Sequence, residues 1–299
     1  MKNKYISNGK LRDFTAPLNI KYIDLNTDPN GLTEVTLNEL RSLDIDGVVI
    51  KNFLKKEEAA TVVEQLMALP ENNYEKLTTS KTFPASYANL EPGSTTFHND
   101  LDAYYLLAKK FADSFTKTYY VNVIEKFAAI FSQLNGGNEA RVASTPNGGS
   151  YIPATFRMVV PTKNHIQIHC GNQFVNVFPD FYKQLLSVAD VWNQLSFFTV
   201  LQQPEVGGEL SVFNATWDVA KKFAVNPDAI ILENGVALHP DNPEELFRQK
   251  FNLEVGDLIV FSAGQLWHRV EEVYGSKMRI TLGGFIGFSK PDDAIYFWS

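Results

Sequence analysis

Apolar residues change their spacing part-way along the chain. Over Lys55–Leu69 they recur at Ala59, Val62, Val63 and Leu66, the period of one helix face, and Pro70 ends the run. Asp100–Leu134 has the same character and predicts one or two amphipathic helices, stopped by Asn135-Gly136-Gly137-Asn138. Between and before them lie short strands, predicted at Lys21–Leu25 and within Asp46–Leu54, and a polar, turn-rich stretch over 71–97. From about residue 140 the pattern becomes alternating or continuously apolar in short runs. It predicts strands over Phe156–Val160, His165–Cys170, Leu195–Leu201, Glu209–Phe213, Leu258–Phe261, Trp267–Val273 and Arg279–Ile286. Phe181–Asn193 reads as a helix and Pro204–Gly208 as a tight turn. Residues 214–250 form a long, partly helical insertion carrying Pro227, Pro240 and Pro243, which reads as a substrate lid or as packing, Pro240 and the loop's length leaning slightly toward a lid. Helices first and strands later predict one α+β domain: a helical part over about 1–139 and a mainly β core over about 140–299, sandwich or barrel.

Composition narrows the function classes. At 299 residues with 44% hydrophobic positions the chain can bury a large core without disulfides or a structural metal. Net charge is −7 and no basic cluster occurs, so no nucleic-acid partner is expected. Cys170 is the only cysteine, which excludes disulfide frameworks and cysteine-based zinc sites within the chain. No apolar run follows Met1–Tyr5 and none reaches the ~18 residues of a membrane span, so a cytoplasmic protein with no membrane contact is expected.

The chemistry-bearing stretch is His169-Cys170-Gly171. In a strand, residues i and i+2 share a face, so a His and a carboxylate at that spacing can grip one metal ion. A second His from a later strand completes the facial triad of non-haem iron oxygenases. His268 is a plausible second ligand, but glycine stands where the carboxylate belongs. Either there is no such site, or iron keeps one position open. His165 competes with His169 on the same strand face but lacks a carboxylate partner. His98 and His239 sit in polar surroundings and read as surface residues, and His98-Asn99-Asp100 reads as the cap of a helix. Cys170 faces away from His169 and reads as core. Further along come Gly207-Gly208-Glu209-Leu210, read as a hairpin turn entering a strand, then Val255–Phe261, Leu266–Val270 and Arg279-Ile280-Thr281. A turn between the last two strands would put Arg279 beside His268, with Arg279 and Thr281 on one face.

In this order the motifs resemble the core of Fe(II)/2-oxoglutarate-dependent oxygenases. Tyr151–Arg157, His169-Cys170-Gly171-Asn172, Leu195–Phe198 and Pro204–Leu210 more closely resemble the freestanding halogenases of hapalindole- and welwitindolinone-type alkaloid pathways. The resemblance implies a double-stranded β-helix (a cupin-like jelly roll) buttressed by N-terminal helices. It implies His169 and His268 as iron ligands, Arg279 with Thr281 as the 2-oxoglutarate anchor, and chloride in the position vacated at Gly171. Gly171 would leave room for that ion. O2 would be the co-substrate; 2-oxoglutarate would be decarboxylated to succinate, a hydrogen atom taken from an aliphatic carbon, and chlorine returned in its place. Ser196 would lie near the metal and bias that return, Asn172 would orient a loop or water, and Arg157 would join a halide network or pair with an acid such as Glu209. The implied substrate is a small molecule, indole-terpenoid in type, with no carrier protein. The rival readings are a hydroxylase or desaturase on the same scaffold, and a jelly-roll binding protein without catalysis.

Overall fold

The computed structural model describes residues 4–77, 79–84, 101–162, 164–220, 229–290 and 292–299. The strands are β1 (Lys4–Ser7), β2 (Lys10–Asp13), β3 (Ile20–Asp24), β4 (Gly47–Lys51), β5 (Glu75–Lys76), β6 (Ser80–Phe83), β7 (Ala140–Val142), β8 (Thr155–Val159), β9 (Asn164–His169) and β10 (Ala189–Gln202). They continue with β11 (Val206–Gly207), β12 (Leu210–Thr216), β13 (Ile230–Ile231), β14 (Ala237–Leu238), β15 (Arg248–Phe251), β16 (Leu258–Phe261), β17 (Leu266–Tyr274), β18 (Arg279–Ser289) and β19 (Ile295–Trp298). The α-helices are α1 (Leu37–Arg41), α2 (Lys56–Met67), α3 (Leu101–Tyr119), α4 (Val123–Leu134), α5 (Gly171–Val177) and α6 (Pro179–Val188).

A ten-stranded major sheet runs β3-β4-β16-β10-β18-β8-β6-β5, with β19 also on β18 and β7 on β19. A five-stranded minor sheet runs β11-β17-β12-β15, with β9 on the other edge of β17. Alternation sorts the major sheet's residues. Ile280, Leu282, Phe156, Met158, Leu195, Phe197, Leu258 and Val260 join the cluster formed with α2, α3 and α4. Phe127 and Phe131 set their edges or faces against Phe197, each at 4.8 Å between centroids, contacts worth about 0.5–1.5 kcal/mol beyond area burial. Val200, Ile259 and Phe261 face the other way, in one buried cluster with Leu210, Val212 and Leu266 of the minor sheet. A third cluster, with Ile168, Cys170, Phe213 and Trp267, closes the minor sheet's outer face.

The helices over 55–69 and 100–134 and the strands of the β core stand close to their expected places. Three expectations change. The predicted helix over Phe181–Asn193 ends at Val188, and β10 already runs from Ala189, with a register shift between Asp190 and Leu195 and Asn193 at φ 62. Gly207-Gly208 is not a hairpin turn. Val206 and Gly207 pair with Tyr274 and Val273 in the same register in which Leu210–Val212 pair with Val270–His268, so β11 and β12 are one strand interrupted by two positive-φ glycines. The insertion shows no helix among its described residues. Ile230, Leu232, Leu238 and Leu246 pack on the minor sheet's outer face, and none of the described residues 214–250 lines the central cavity. No helix among the described residues is long and apolar enough to cross a membrane.

Candidate metal centre

His169 closes β9 and His268 lies in β17, and the two are direct cross-strand partners. Their ring centroids are 4.1 Å apart. The local backbone orients both rings in the same way. His169 Nδ1 bonds the carbonyl of Gln167 at 2.7 Å, and His268 Nδ1 bonds that of Leu266 at 2.9 Å. A carbonyl only accepts, so Nδ1 carries the proton and donates, and each Nε2 keeps its lone pair. Burial pushes the His169 pKa down to about 4, aided by the charge of Arg157. Burial, then the neighbouring His169, hold His268 well below the usual value. Two neutral imidazoles with fixed tautomers suit a divalent transition metal.

The opposite wall comes from the major sheet. Arg279 and Thr281 project from β18, Arg157 and Thr155 from β8, and Ser196 and Phe198 from β10. Register explains the grouping: Thr281 pairs with Arg157, Gly283 with Thr155 and with Phe198, and Ser196 with Phe285. Arg279 is 6% exposed and Thr281 4%. The Arg279 guanidinium lies 5.1 Å from the Phe198 ring centre and its Nη1 approaches Thr281 Oγ1 at 3.5 Å. Burial lowers the pKa of Arg157 to about 10, and burial plus Arg157 does the same to Arg279, yet both remain cations at neutral pH. The side chain of Arg279 passes Gly208, where a Cβ would stand 3.1 Å from Arg279 Cδ. The cavity encloses about 100 Å³. No Asp or Glu lines it among the described residues, and no cluster of three His, Cys, Asp or Glu exists among them. The buried Thr155 hydroxyl, on its wall, has no protein partner. The buried Arg279, the half-buried Arg157 and a hydroxyl without a partner among the described residues make a site for anions.

Gly171 is placed differently from the strand-based expectation. The strand ends at His169, so residues 169 and 171 do not share a strand face; Gly171 opens α5. Its amide donates to Ala263 O at 2.7 Å and its carbonyl accepts from Gln194 Nε2 at 2.8 Å. A Cβ there would lie 3.1 Å from Gly264 Cα and 3.2 Å from Ala263 O and Gln194 Nε2. The space beside Gly171 is therefore backbone contact, and Gly171 is not among the cavity's lining residues. Asn172 bonds Asn193 through both side-chain and backbone groups, which secures the start of α5 rather than a water at the cavity.

Residues 19–299 match the family of the carrier-protein-independent halogenase WelO5. The chain belongs to this family. The halogenase is thus an iron- and 2-oxoglutarate-dependent oxidoreductase that acts on an unactivated C–H bond of a freestanding small molecule. Membership favours halogenation over the hydroxylase, desaturase and non-catalytic alternatives. Among solved structures the halogenase is similar to an N-substituted L-amino acid dioxygenase from Burkholderia ambifaria AMMD, at 16% identity over 87% of this chain and 89% of that one, with a TM-score of 0.52. A second structure of that dioxygenase, in complex with alpha-KG, matches at 14% identity over the same shares, also with a TM-score of 0.52. These likenesses establish the jelly-roll fold. No curated protein matches the chain.

Ser196 of the halogenase lines the cavity and donates its hydroxyl proton to Gly284 O at 3.1 Å. Cys170 is fully buried and turned to Gly264 O at 2.8 Å, as its core reading requires. His165 is half-buried, with its Nδ1 enclosed and unpartnered, and does not line the cavity. His98 lies outside the described residues. Glu209 borders a second cavity beyond Arg279, with Gly207 and Gly208. Several wall residues escaped the sequence reading, Thr155 and Phe174 among them. Thr155 stands two residues before Arg157 in the same strand, so alternation could have found it. Phe174, whose ring centre is 5.7 Å from that of His169, sits on α5, for which the sequence carries no clear signal.

Proposed function

We propose that His169 and His268 hold Fe(II) through their Nε2 atoms, that chloride takes the coordination position a carboxylate fills in related oxygenases, and that Arg279 with Thr281 anchors the distal carboxylate of 2-oxoglutarate. The observation that carries this reading is the paired, tautomer-fixed imidazoles facing the guanidiniums of Arg279 and Arg157, with no acidic side chain lining the cavity among the described residues. The iron, with 2-oxoglutarate and O2, supplies the oxidising power that removes a hydrogen atom from carbon. Arg279 can meet a carboxylate with two parallel N–H bonds. Arg157, one strand over, adds positive charge beside the dianion and the halide. The Ser196 hydroxyl, committed to Gly284, would have to turn from it to donate toward the metal. In that turned state it would favour return of halogen over hydroxyl.

Ile166, Phe174, Leu210, Phe261, Val270 and Phe285 give the rest of the wall an aromatic and aliphatic face. That surface would meet an apolar substrate, which we read as indole-terpenoid in type. The test is an anaerobic titration of the protein with Fe(II) and 2-oxoglutarate. It should produce a visible metal-to-ligand charge-transfer band that responds to added chloride. Turnover should give a product with a chlorine isotope pattern only when chloride is present. A band indifferent to chloride, with oxygenated product alone, would replace chloride by water in this reading.

A further inference from the structure

The match to the halogenase family begins at residue 19, yet the residues before it are built into the metal centre's support. The hairpin β1–β2 packs on the outer face of the minor sheet. The rings of Tyr5 and Phe14 stack at 4.3 Å and 18°. They enter the same buried cluster as Ile168, Cys170 and Trp267. Those three are the chain neighbours of His169 and His268. Side chains alternate across a strand, so the hairpin presses on the back of the backbone whose front carries the two imidazoles.

Its polar contacts converge on one turn. Arg12 pairs with Asp46 at 2.9 Å and donates to Asn214 Oδ1 from Nε at 3.1 Å and Nη2 at 2.9 Å. Tyr5 donates to the same oxygen at 3.1 Å, and Asn214 Nδ2 returns bonds to Asp13 O and Ala16 O at 2.9 Å each. The Asp46 carbonyl in turn accepts from Ser262 N at 3.0 Å. Ser262 starts the 262–265 turn, and Asn8 Nδ2 bonds the side chain of Gln265 at its end. That turn serves both sides of the site. Its Ala263 and Gly264 carbonyls hold the amides of Gly171 and Asn172 at 2.7 and 3.0 Å. It leads straight into Leu266, whose carbonyl fixes the His268 ring.

We propose that this N-terminal hairpin is a positioning element for the His169–His268 pair, with Arg12 as the residue that ties it to the turn. The proposal rests on the reading that these histidines bind iron. It is tested with full-length Arg12→Gln, Arg12→Lys, Tyr5→Phe and, as a control on an exposed position, Lys4→Ala. Anaerobic Fe(II) affinity is measured without 2-oxoglutarate, then the charge-transfer band with it, at a temperature where circular dichroism shows each variant folded. Arg12→Gln should weaken Fe(II) binding about 10-fold, the lower end of what removal of a metal-orienting contact costs. The band should shift, Arg12→Lys should recover part of the loss, and Lys4→Ala should match the parent. A lower melting temperature with unchanged Fe(II) affinity and an unchanged band would overturn the proposal and leave a hairpin that only adds stability. If Arg12→Gln does not fold, Tyr5→Phe decides, since it removes one hydroxyl: a weaker but same-signed loss of affinity supports the proposal and none overturns it. The parent protein separates the two readings. If it binds no Fe(II), or His268→Ala binds it equally well, the iron assignment itself falls.

Discussion

The major sheet presents guanidiniums and hydroxyls to the cavity and rests on helices, whereas the minor sheet presents two imidazoles and is closed behind by a hairpin and an insertion. Both use the same alternation of faces, but they divide the work. One wall handles anionic charge, and the other supplies neutral nitrogen donors. On the helix-backed wall β10 and β18 keep one register over Leu195–Val200, beside the site, and shift only outside it, between Asp190 and Leu195 and between Val200 and Gln202. The imidazole wall has a slipped register, with shifts between His268 and Val270 and between Val270 and Val273 on β9, so its geometry depends on what packs behind it.

The sharpest break of this division is His268→Ala. It should abolish the Fe(II) charge-transfer band and reduce halogenation to background while leaving the major sheet's stability intact, as a thermal melt would show. Its counterpart is Arg279→Gln, which should leave Fe(II) binding in place and raise the KM for 2-oxoglutarate about 100-fold, equivalent to losing ~3 kcal/mol from a buried charged contact. If Arg279→Gln instead abolished metal binding with 2-oxoglutarate absent, the walls would not be separable. Gly171→Asp is intermediate. If the displaced backbone turns the new carboxylate toward the two imidazoles, it should exchange chlorination for hydroxylation, read by product mass. Because its Cβ must displace the Ala263–Gly264 backbone, it should also cost about 1–3 kcal/mol of stability. Ser196→Ala should lower the ratio of halogenated to hydroxylated product severalfold with unchanged Fe(II) affinity; an unchanged ratio would make that hydroxyl a support for Gly284 only.

The smallest effect is on pH dependence. His169 is held near 4 and His268 is depressed in the folded metal-free protein, while both titrate at their ordinary value, near 6.5, when unfolded. Below that value the unfolded chain takes up protons that the native state refuses, so acid favours unfolding. Stability should be flat above about pH 7 and fall as pH drops from 6.5 toward 4. Urea midpoints measured across that window should show a shallower slope in His169→Gln.

Much of the major sheet's wall was legible because strand alternation needs no partner to be read. Alternation sets Arg279 and Thr281 on one face and Ile280 and Leu282 on the other, and a polar cavity on the first face decides which way the strand points. The minor sheet was less legible for three reasons. The i, i+2 argument assumed a strand through Gly171, but Gln194 and the Ala263–Gly264 carbonyls capture that backbone and start a helix. Gly207-Gly208 has the composition of a turn, and only its register on β17 reveals an interrupted strand. The cover of Tyr5 and Phe14 depends on partners such as Ile168 and Phe213, 150 or more residues away, which no local pattern encodes.

A cavity that gathers two guanidiniums and two neutral imidazoles, with no acidic side chain on its wall among the described residues, also sets an order of affinities. If iron joins this set, the positive charge rises further, and each anion that arrives relieves it. Metal and 2-oxoglutarate should then bind with positive coupling, each tightening the other by the same factor, as thermodynamic reciprocity demands. An oxygenase with its own carboxylate carries part of that neutralisation permanently. Here it would be borrowed from the co-substrate and the halide, so the loaded centre would assemble as a set, and its iron would be most easily lost when the anions leave.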